Sequence, residues 1–407
     1  MLKKVQLYIF SFGLLILPFI YWPWAYVVYE IPRVWFFECW IKIMMIVSLL
    51  ILLRKKKTEK QDGLIILLII FLLFIIVVSS ILGVDVEKSI VGNFYRRDGV
   101  LTYLHLVGLF TLTGLFWQDS WKKTIILVVS WGAFLSSTWS IYLGIRLFVF
   151  GDLSLNVWNG AIGGFFSQPQ FLAGYLLVTL PIVCYWLTQK KNILLTTIFL
   201  GVQLIAVVLT HSFVASTMAI LVVGLFIYEE IKTKELRQFK GVIVILLLVV
   251  VILSGIYIKN KVFITVEMDQ GYFAQSRQRI AGKLLLAFFK KPIFGWGWAN
   301  IDYAFESVDW PFRFGYDVYL DKAHSVFLEI LIATGIVGFL TYLSIIGRSL
   351  YLLVRKKSIS KDNYWIKTLT ITLVIYLIHS QTNIISINEE IFFWIVLGII
   401  SQEEITY

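Results

Sequence analysis

Apolar residues in this chain fall into long runs separated by short polar breaks. After a first run ending at about Ile20, further runs of about 16 to 24 residues centre near Met45, Phe71, Val107, Phe134, Val178, Leu200, Leu221, Val249, Ala333, Val374 and Val396. A membrane-spanning helix needs about 20 predominantly apolar residues, so each run predicts a span. The first opens Met1-Leu-Lys-Lys, the charge order of a secretory signal. Tyr21-Trp-Pro-Trp stands where small residues would mark a cleavage site, so this run is read as an uncleaved span. The pattern predicts an all-α integral membrane protein with about twelve transmembrane helices. Residues 1–258 would hold spans one to nine, 259–322 one large extracytoplasmic loop, and 323–407 spans ten to twelve.

Composition agrees with the pattern. Of 407 residues, 59% are hydrophobic and 15% charged, against roughly 25% charged in a soluble domain, and the mean hydropathy is +0.84. A soluble globular protein is excluded. The net charge of +11 would suggest nucleic acid in a soluble protein, but here most basic residues sit in breaks between spans. Lys3 and Lys4, Arg54 to Lys57 with Lys60, Lys122 and Lys123, Lys190 and Lys191, the group from Lys232 to Lys240, and that from Arg348 to Lys367 all fall on one side. The opposite short loops carry chiefly Arg33, Lys88, Arg96, Arg97 and Arg146. The positive-inside rule then places both termini in the cytoplasm, and the charge is a topology signal with no nucleic-acid partner implied. Tyr21, Trp22, Trp24, Trp296 and Trp298 suit the membrane interface. Cys39 and Cys184 lie far apart in or beside apolar runs, offering neither a disulfide framework nor a zinc site.

The long external loop is basic in its first half (Lys259, Lys261, Arg277, Arg279, Lys283, Lys290, Lys291) and acidic in its second (Asp302, Glu306, Asp309, Asp317, Asp321). A structureless connector has no need of such length and patterning. Within it, Ser276 to Lys291 predicts an amphipathic helix capped by Ser276, stopped by Pro292 and lying on the membrane surface. Ile280, Leu284 and Phe288 mark its apolar side, and Arg279 and Lys283 share a basic side. Its cations suit either lipid headgroups or a diphosphate, which Arg277 and Arg279 could grip through the planar guanidinium fork.

His324 stands at the external mouth of the tenth span. A helix starting by Asp321 would put that carboxylate and the imidazole on one face, and an imidazole oriented by a carboxylate can take a proton from an attacking hydroxyl. A plain helix-end histidine is the competing reading. Of the other three histidines, His211 and His379 sit at external span ends and His105 lies within a span. Arg96 and Arg97 precede an Asp-Gly turn and could contact phosphate or lipid. No nucleotide-phosphate loop, HExxH zinc helix or serine-hydrolase elbow is present. Charges in the middle of spans, which an ion-coupled transporter needs, are nearly absent.

Several segments together resemble the O-antigen ligase and polymerase family, membrane glycosyltransferases that use undecaprenyl-diphosphate-linked glycans outside the bacterial cytoplasmic membrane. Arg97-Asp-Gly-Val-Leu-Thr-Tyr-Leu is similar to a segment entering an early span. Gly164-Phe-Phe-Ser-Gln-Pro-Gln-Phe-Leu-Ala-Gly-Tyr-Leu resembles the family's Asn-Pro-Asn loop, with Gln168 and Gln170 in place of the asparagines. Ser276-Arg277 through Pro292-Ile-Phe-Gly-Trp-Gly-Trp-Ala-Asn300 resembles the helix and glycine turn of its external loop. Ala323-His324-Ser325 followed by Thr334-Gly-Ile-Val-Gly338 resembles its histidine motif, with Ser325 where asparagine is usual.

The resemblance implies a C-type glycosyltransferase fold in which Arg277 binds the donor diphosphate and His324 assists the acceptor. Arg279, Lys283, Arg97, Gln168, Gln170, His211 and Asp321 become candidate substrate contacts. It implies no cofactor, bound metal or nucleotide sugar; the partners would be the lipid-linked donor, a glycan or lipid acceptor, and membrane lipids. Where the family commonly has Ser-Arg at the outer end of an earlier span, this chain has His211-Ser212-Phe213, leaving Arg279, Arg146, Arg97 or His211 to substitute. Ligase and polymerase are not separated by these residues. The rival readings are a lipid-linked oligosaccharide flippase and a cell-wall polymerase of the shape, elongation and division type. The latter would rely on a loop carboxylate among Asp302, Glu306, Asp309 and Asp317.

Overall fold

The computed structural model describes residues 2–54, 58–152, 157–158, 160–189, 193–231, 277–309, 320–359 and 362–403. Within them the regular structure is helical apart from a hairpin of two-residue strands, β1 (Val157–Trp158) and β2 (Ala161–Ile162), paired antiparallel. The helices, numbered along the chain, are α1 (Leu2–Ile16), α2 (Glu30–Leu53), α3 (Gly63–Ile81), α4 (Val86–Val91), α5 (Val100–Phe116), α6 (Lys122–Phe150) and α7 (Pro169–Thr188). They continue with α8 (Ile193–Leu209), α9 (Phe213–Ile231), α10 (Arg277–Lys290), α11 (Ile301–Glu306), α12 (Val326–Ile359), α13 (Asn363–His379) and α14 (Ile387–Ser401). A helix covers each predicted span except the one near Val249, which lies outside the described residues. Among the described residues six segments are long and apolar enough to cross a membrane, and α5, α8 and α9 contain shorter apolar stretches.

The apolar runs divide by what covers them. In α3, Ile65, Ile69, Leu72 and Ile76 are buried while Leu67, Ile70 and Phe74 are more than half exposed, so one side meets protein and the other meets solvent that only lipid makes tolerable. By contrast 89% of the apolar window of α7 is buried inside the protein, against 39–56% in the other five such segments. It packs on α6, α8, α9, α13 and α14. Pro181 interrupts this central helix, and Gln203 of α8 reaches across to donate to Leu176 O at 2.7 Å in the preceding turn. Neighbouring helices supply such bonds where proline disturbs the helical ladder.

One set of helix ends is tied by charge: Asp62 caps α3 through Ile65 N (3.0 Å) and receives both Nε (3.1 Å) and Nη2 (2.5 Å) of Arg348 from α12. At the opposite end, Arg33 of α2 is fully buried. It donates to Glu30 (3.3 Å), Pro18 O (3.1 Å) and Phe165 O (2.6 Å), bracing the loop before α7.

Residues 277–309 form a compact layer packed against α12. Ile280, Leu284 and Ala287 of α10 are buried against Trp296, Ile301, Phe305, Ile332 and Ala333. The apolar stripe expected to rest on the membrane therefore packs on protein, and the side left exposed carries Leu285, Leu286 and Phe289. Ser276, the expected cap, lies outside the described residues. α12 is broken at Gly335 (φ 67°, ψ −168°). The glycine turn after Pro292 fills the break: Trp296 N donates to Ile332 O (2.9 Å), Gly297 N to Ala333 O (3.0 Å), and Ile336 N to Pro292 O (2.8 Å). Ser79 of α3 also donates to Ala333 O. Positive φ at Gly295 and Gly297 lets that backbone approach so closely, and orphan groups at the helix break are satisfied.

Candidate active site

α12 begins at Val326, not at Asp321, so residues 320–325 form a non-helical strap across its outer end. The expectation that Asp321 and His324 share a helix face is thereby corrected. Asp321 instead accepts from Arg96 Nε at 2.6 Å. Ser325 Oγ accepts from Leu328 N at 3.4 Å in the first turn of α12 and donates to Gln381 Oε1 at 2.7 Å. It caps the helix in the way serine commonly does. Val326 N donates to Ser380 O (2.9 Å), fastening the same end to the turn after α13. Between these anchors His324 takes φ +57°, a left-handed conformation that a residue with a Cβ holds only when its surroundings enforce it.

The half-buried His324 lines a cavity of about 80 Å³, walled by both charged and apolar side chains, between the ends of α2, α5, α12 and α14. Lys322, Glu329 and Glu390, with Asp98 from the turn before α5, form its charged wall, and Tyr103, Tyr342 and Tyr376 line its inner side. Such a volume holds a few waters, so a glycan would lie at the mouth with only a small group reaching inside. Lys322 forms ion pairs with both Asp98 and Glu329. Burial works against its charge, but Asp98 and Glu329 outweigh it and raise its pKa; Asp98 is held low in turn, burial notwithstanding, by Lys322 and Arg96. Removing one member of such a buried pair costs about 3–5 kcal/mol.

Arg277, at the start of α10, donates to Asn383 Oδ1 at 3.2 Å across the mouth. Asn383 also lines the cavity. Burial lowers the His324 pKa below the ordinary histidine value, and the nearby Arg277 and Arg96 lower it further against the opposing pull of Asp321. At neutral pH the imidazole is therefore uncharged, the form that can accept a proton.

The structure thus brings His324, Arg277 and Asp321 together and separates other sequence candidates from them. Arg97, also at positive φ (53°), pairs with Glu38 at 3.5 Å and lies over Trp35. Lys283 sits over the Phe305 ring at 4.0 Å, and neither it nor Arg279 lines the cavity. Gln168 accepts from Phe171 N (3.1 Å) through its main-chain carbonyl at the start of α7, and Gln170 is exposed. Their loop approaches the cavity through Ser167, which donates to Glu30 at 3.4 Å, and through Phe171, whose ring lies 5.5 Å from the Arg96 guanidinium. His211 (φ 54°) faces Gly160 of the hairpin, and Arg146 pairs with Asp152. Among the proposed loop carboxylates, Asp302 pairs with Lys88 and Asp317 lies outside the described residues.

Sequence reading missed Arg96 as the partner of Asp321, and missed Lys322, Glu329, Asp98, Asn383 and Glu390. Glu329, a lone acid, and Glu390, beside Glu389, were visible at the ends of apolar runs. Acids in a first helical turn are also favoured by the helix dipole, which masks their functional signal.

Residues 196–343 match the family model described as O-antigen ligase. Over this stretch the chain is similar to that family. The matched stretch includes Arg277, the glycine turn and His324, whereas Arg96, Asp98, Asn383 and Glu390 reach the site from outside it. No curated protein and no solved structure matches the chain.

Proposed function

We propose that this membrane protein is an inverting, metal-independent glycosyltransferase that moves a glycan from a polyprenyl-diphosphate carrier to a hydroxyl acceptor at the outer face of the bacterial cytoplasmic membrane. The observation that carries this reading is the proximity of His324, in the cavity wall, to Arg277, which bonds the lining residue Asn383, both within the stretch similar to the O-antigen ligase family. The acceptor hydroxyl gives its proton to the neutral His324 imidazole while its oxygen attacks the anomeric carbon from the face opposite the diphosphate. The carbon–oxygen bond to the diphosphate breaks, and the leaving group departs with the electron pair. Arg277 meets the charge that develops there, as a preorganised cation does in a water-poor site. Arg96 lies against Asp321 and tunes His324 from the other side.

The reading is tested with a labelled undecaprenyl-diphosphate oligosaccharide in proteoliposomes. Arg277→Ala should lose about 100-fold in rate or more, a control Lys123→Ala should lose nothing, and a chelator should leave the rate unchanged. Equal rates in both variants would remove Arg277 from the donor site; a strict need for added divalent cation would contradict the metal-independent route. The carrier reading draws on Glu329 and Glu390 in the cavity wall and on the buried Glu389. In the same assay it predicts donor that changes leaflet but stays intact.

A further inference from the structure

We propose that Lys322 is a positioning residue for His324: clamped between Asp98 and Glu329, it holds the strap so that the imidazole faces the acceptor from a left-handed backbone. This deepens, and rests on, the transferase reading above. Lys322 is two residues before His324, and its ammonium is directed inward to Asp98 on the α4–α5 turn and Glu329 on α12. Asp98 is itself fixed: its Oδ1 accepts from Asn93 N (3.1 Å) and its carbonyl accepts from Trp298 Nε1 (2.9 Å) of the glycine turn. The clamp therefore joins three separate parts of the molecule directly beneath the strap.

Arg96–Asp321 at one end and Ser325–Gln381 at the other hold the outer sides of the strap. Neither spans its centre, where the chain passes through φ +57° at His324. An extended strap without an inward anchor would relax that residue to an ordinary conformation. Lys322 supplies the inward anchor, and its two carboxylates make its removal an electrostatic event at His324 as well as a mechanical one. The charged groups facing His324 are Arg277 from α10, Arg96 and Asp98 from the turn before α5, and Asp321 and Lys322 within the strap. Glu30 of α2, Glu329 of α12 and Glu390 of α14 share the same cavity.

The test is the pH dependence of His324 carbethoxylation by diethylpyrocarbonate, followed by peptide mass spectrometry on the full-length detergent-solubilised chain. Lys322→Met strands two carboxylates, so the titration of His324 should move to higher pH. Glu329→Gln removes one negative charge, so it should move to lower pH than in the wild type. Unfolding would carry both variants upward towards an ordinary histidine, so the opposite signs separate tuning from loss of fold. In the proteoliposome transfer assay Lys322→Met should lower kcat about 100-fold with little change in KM. Superimposable titration curves for all three proteins would overturn the proposal, whatever the transfer assay gave. Absence of transfer by the wild type would instead overturn the transferase reading, leaving the titration to decide the clamp by itself.

Discussion

At the scale of single residues, the site is governed by which charges are already paired. Arg97 and Arg96 both looked available for a diphosphate in the sequence, yet Glu38 and Asp321 occupy them. Arg277 is held by a neutral amide at 3.2 Å, which leaves its full positive charge to meet an anionic leaving group. His324 titrates below the usual histidine range because burial and the Arg277 and Arg96 cations disfavour its charged form. The neutral imidazole is the working base, so activity should hold as pH falls from 7 and decline only as pH drops through this lowered pKa. The acidic limb of kcat/KM against pH should therefore fit a value below the 6.5 of free histidine. A limb at or above that value would show that His324 is either solvated or not the base. The histidine and Arg277 were legible in the sequence through their neighbours. Lys322 was not, because one of its partners, Asp98, lies far away in the chain and the other, Glu329, comes within reach only through the non-helical course of residues 320–325.

At the scale of elements, apolar run length announced the helices, and Pro292 correctly announced the end of α10. What the runs could not announce was the break in α12. Thr334-Gly-Ile-Val-Gly338 reads as an uninterrupted apolar span, since a single glycine costs a helix only about 1 kcal/mol. The break becomes visible only when the glycine turn arrives to bond Ile332 O and Ala333 O. A Cβ at Gly335 would collide with the Ile293 carbonyl and would sit at φ 67°. Gly335→Ala should therefore destabilise by more than the about 1–3 kcal/mol that a left-handed non-glycine residue costs. Gly224→Ala in α9, where the added carbon meets nothing within 4 Å, should be neutral or stabilising. Thermal unfolding of both variants in detergent checks this; equal transition temperatures would argue against the observed packing of the turn into the helix break.

At the scale of the whole molecule, the account requires the cavity mouth and the basic span ends to lie on opposite sides of the membrane. With Cys39 and Cys184 replaced by alanine, single cysteines at the exposed positions Lys123 and Lys290 should react with an impermeant maleimide from the cytoplasmic and outer sides respectively. Labelling of both from one side would refute the orientation. Loop polarity is what predicts this arrangement in the sequence, whereas the enclosure of α7 and the convergence of α2, α5, α12 and α14 on one cavity depend on packing between distant runs. The measurement that bears most directly on the central claim is glycan transfer in proteoliposomes given labelled undecaprenyl-diphosphate oligosaccharide and an acceptor glycan, comparing wild type with His324→Ala. The account predicts extended or newly attached glycan from the wild type and none above background from the variant. Undiminished transfer by His324→Ala, or donor that crosses the membrane intact in both, would contradict it.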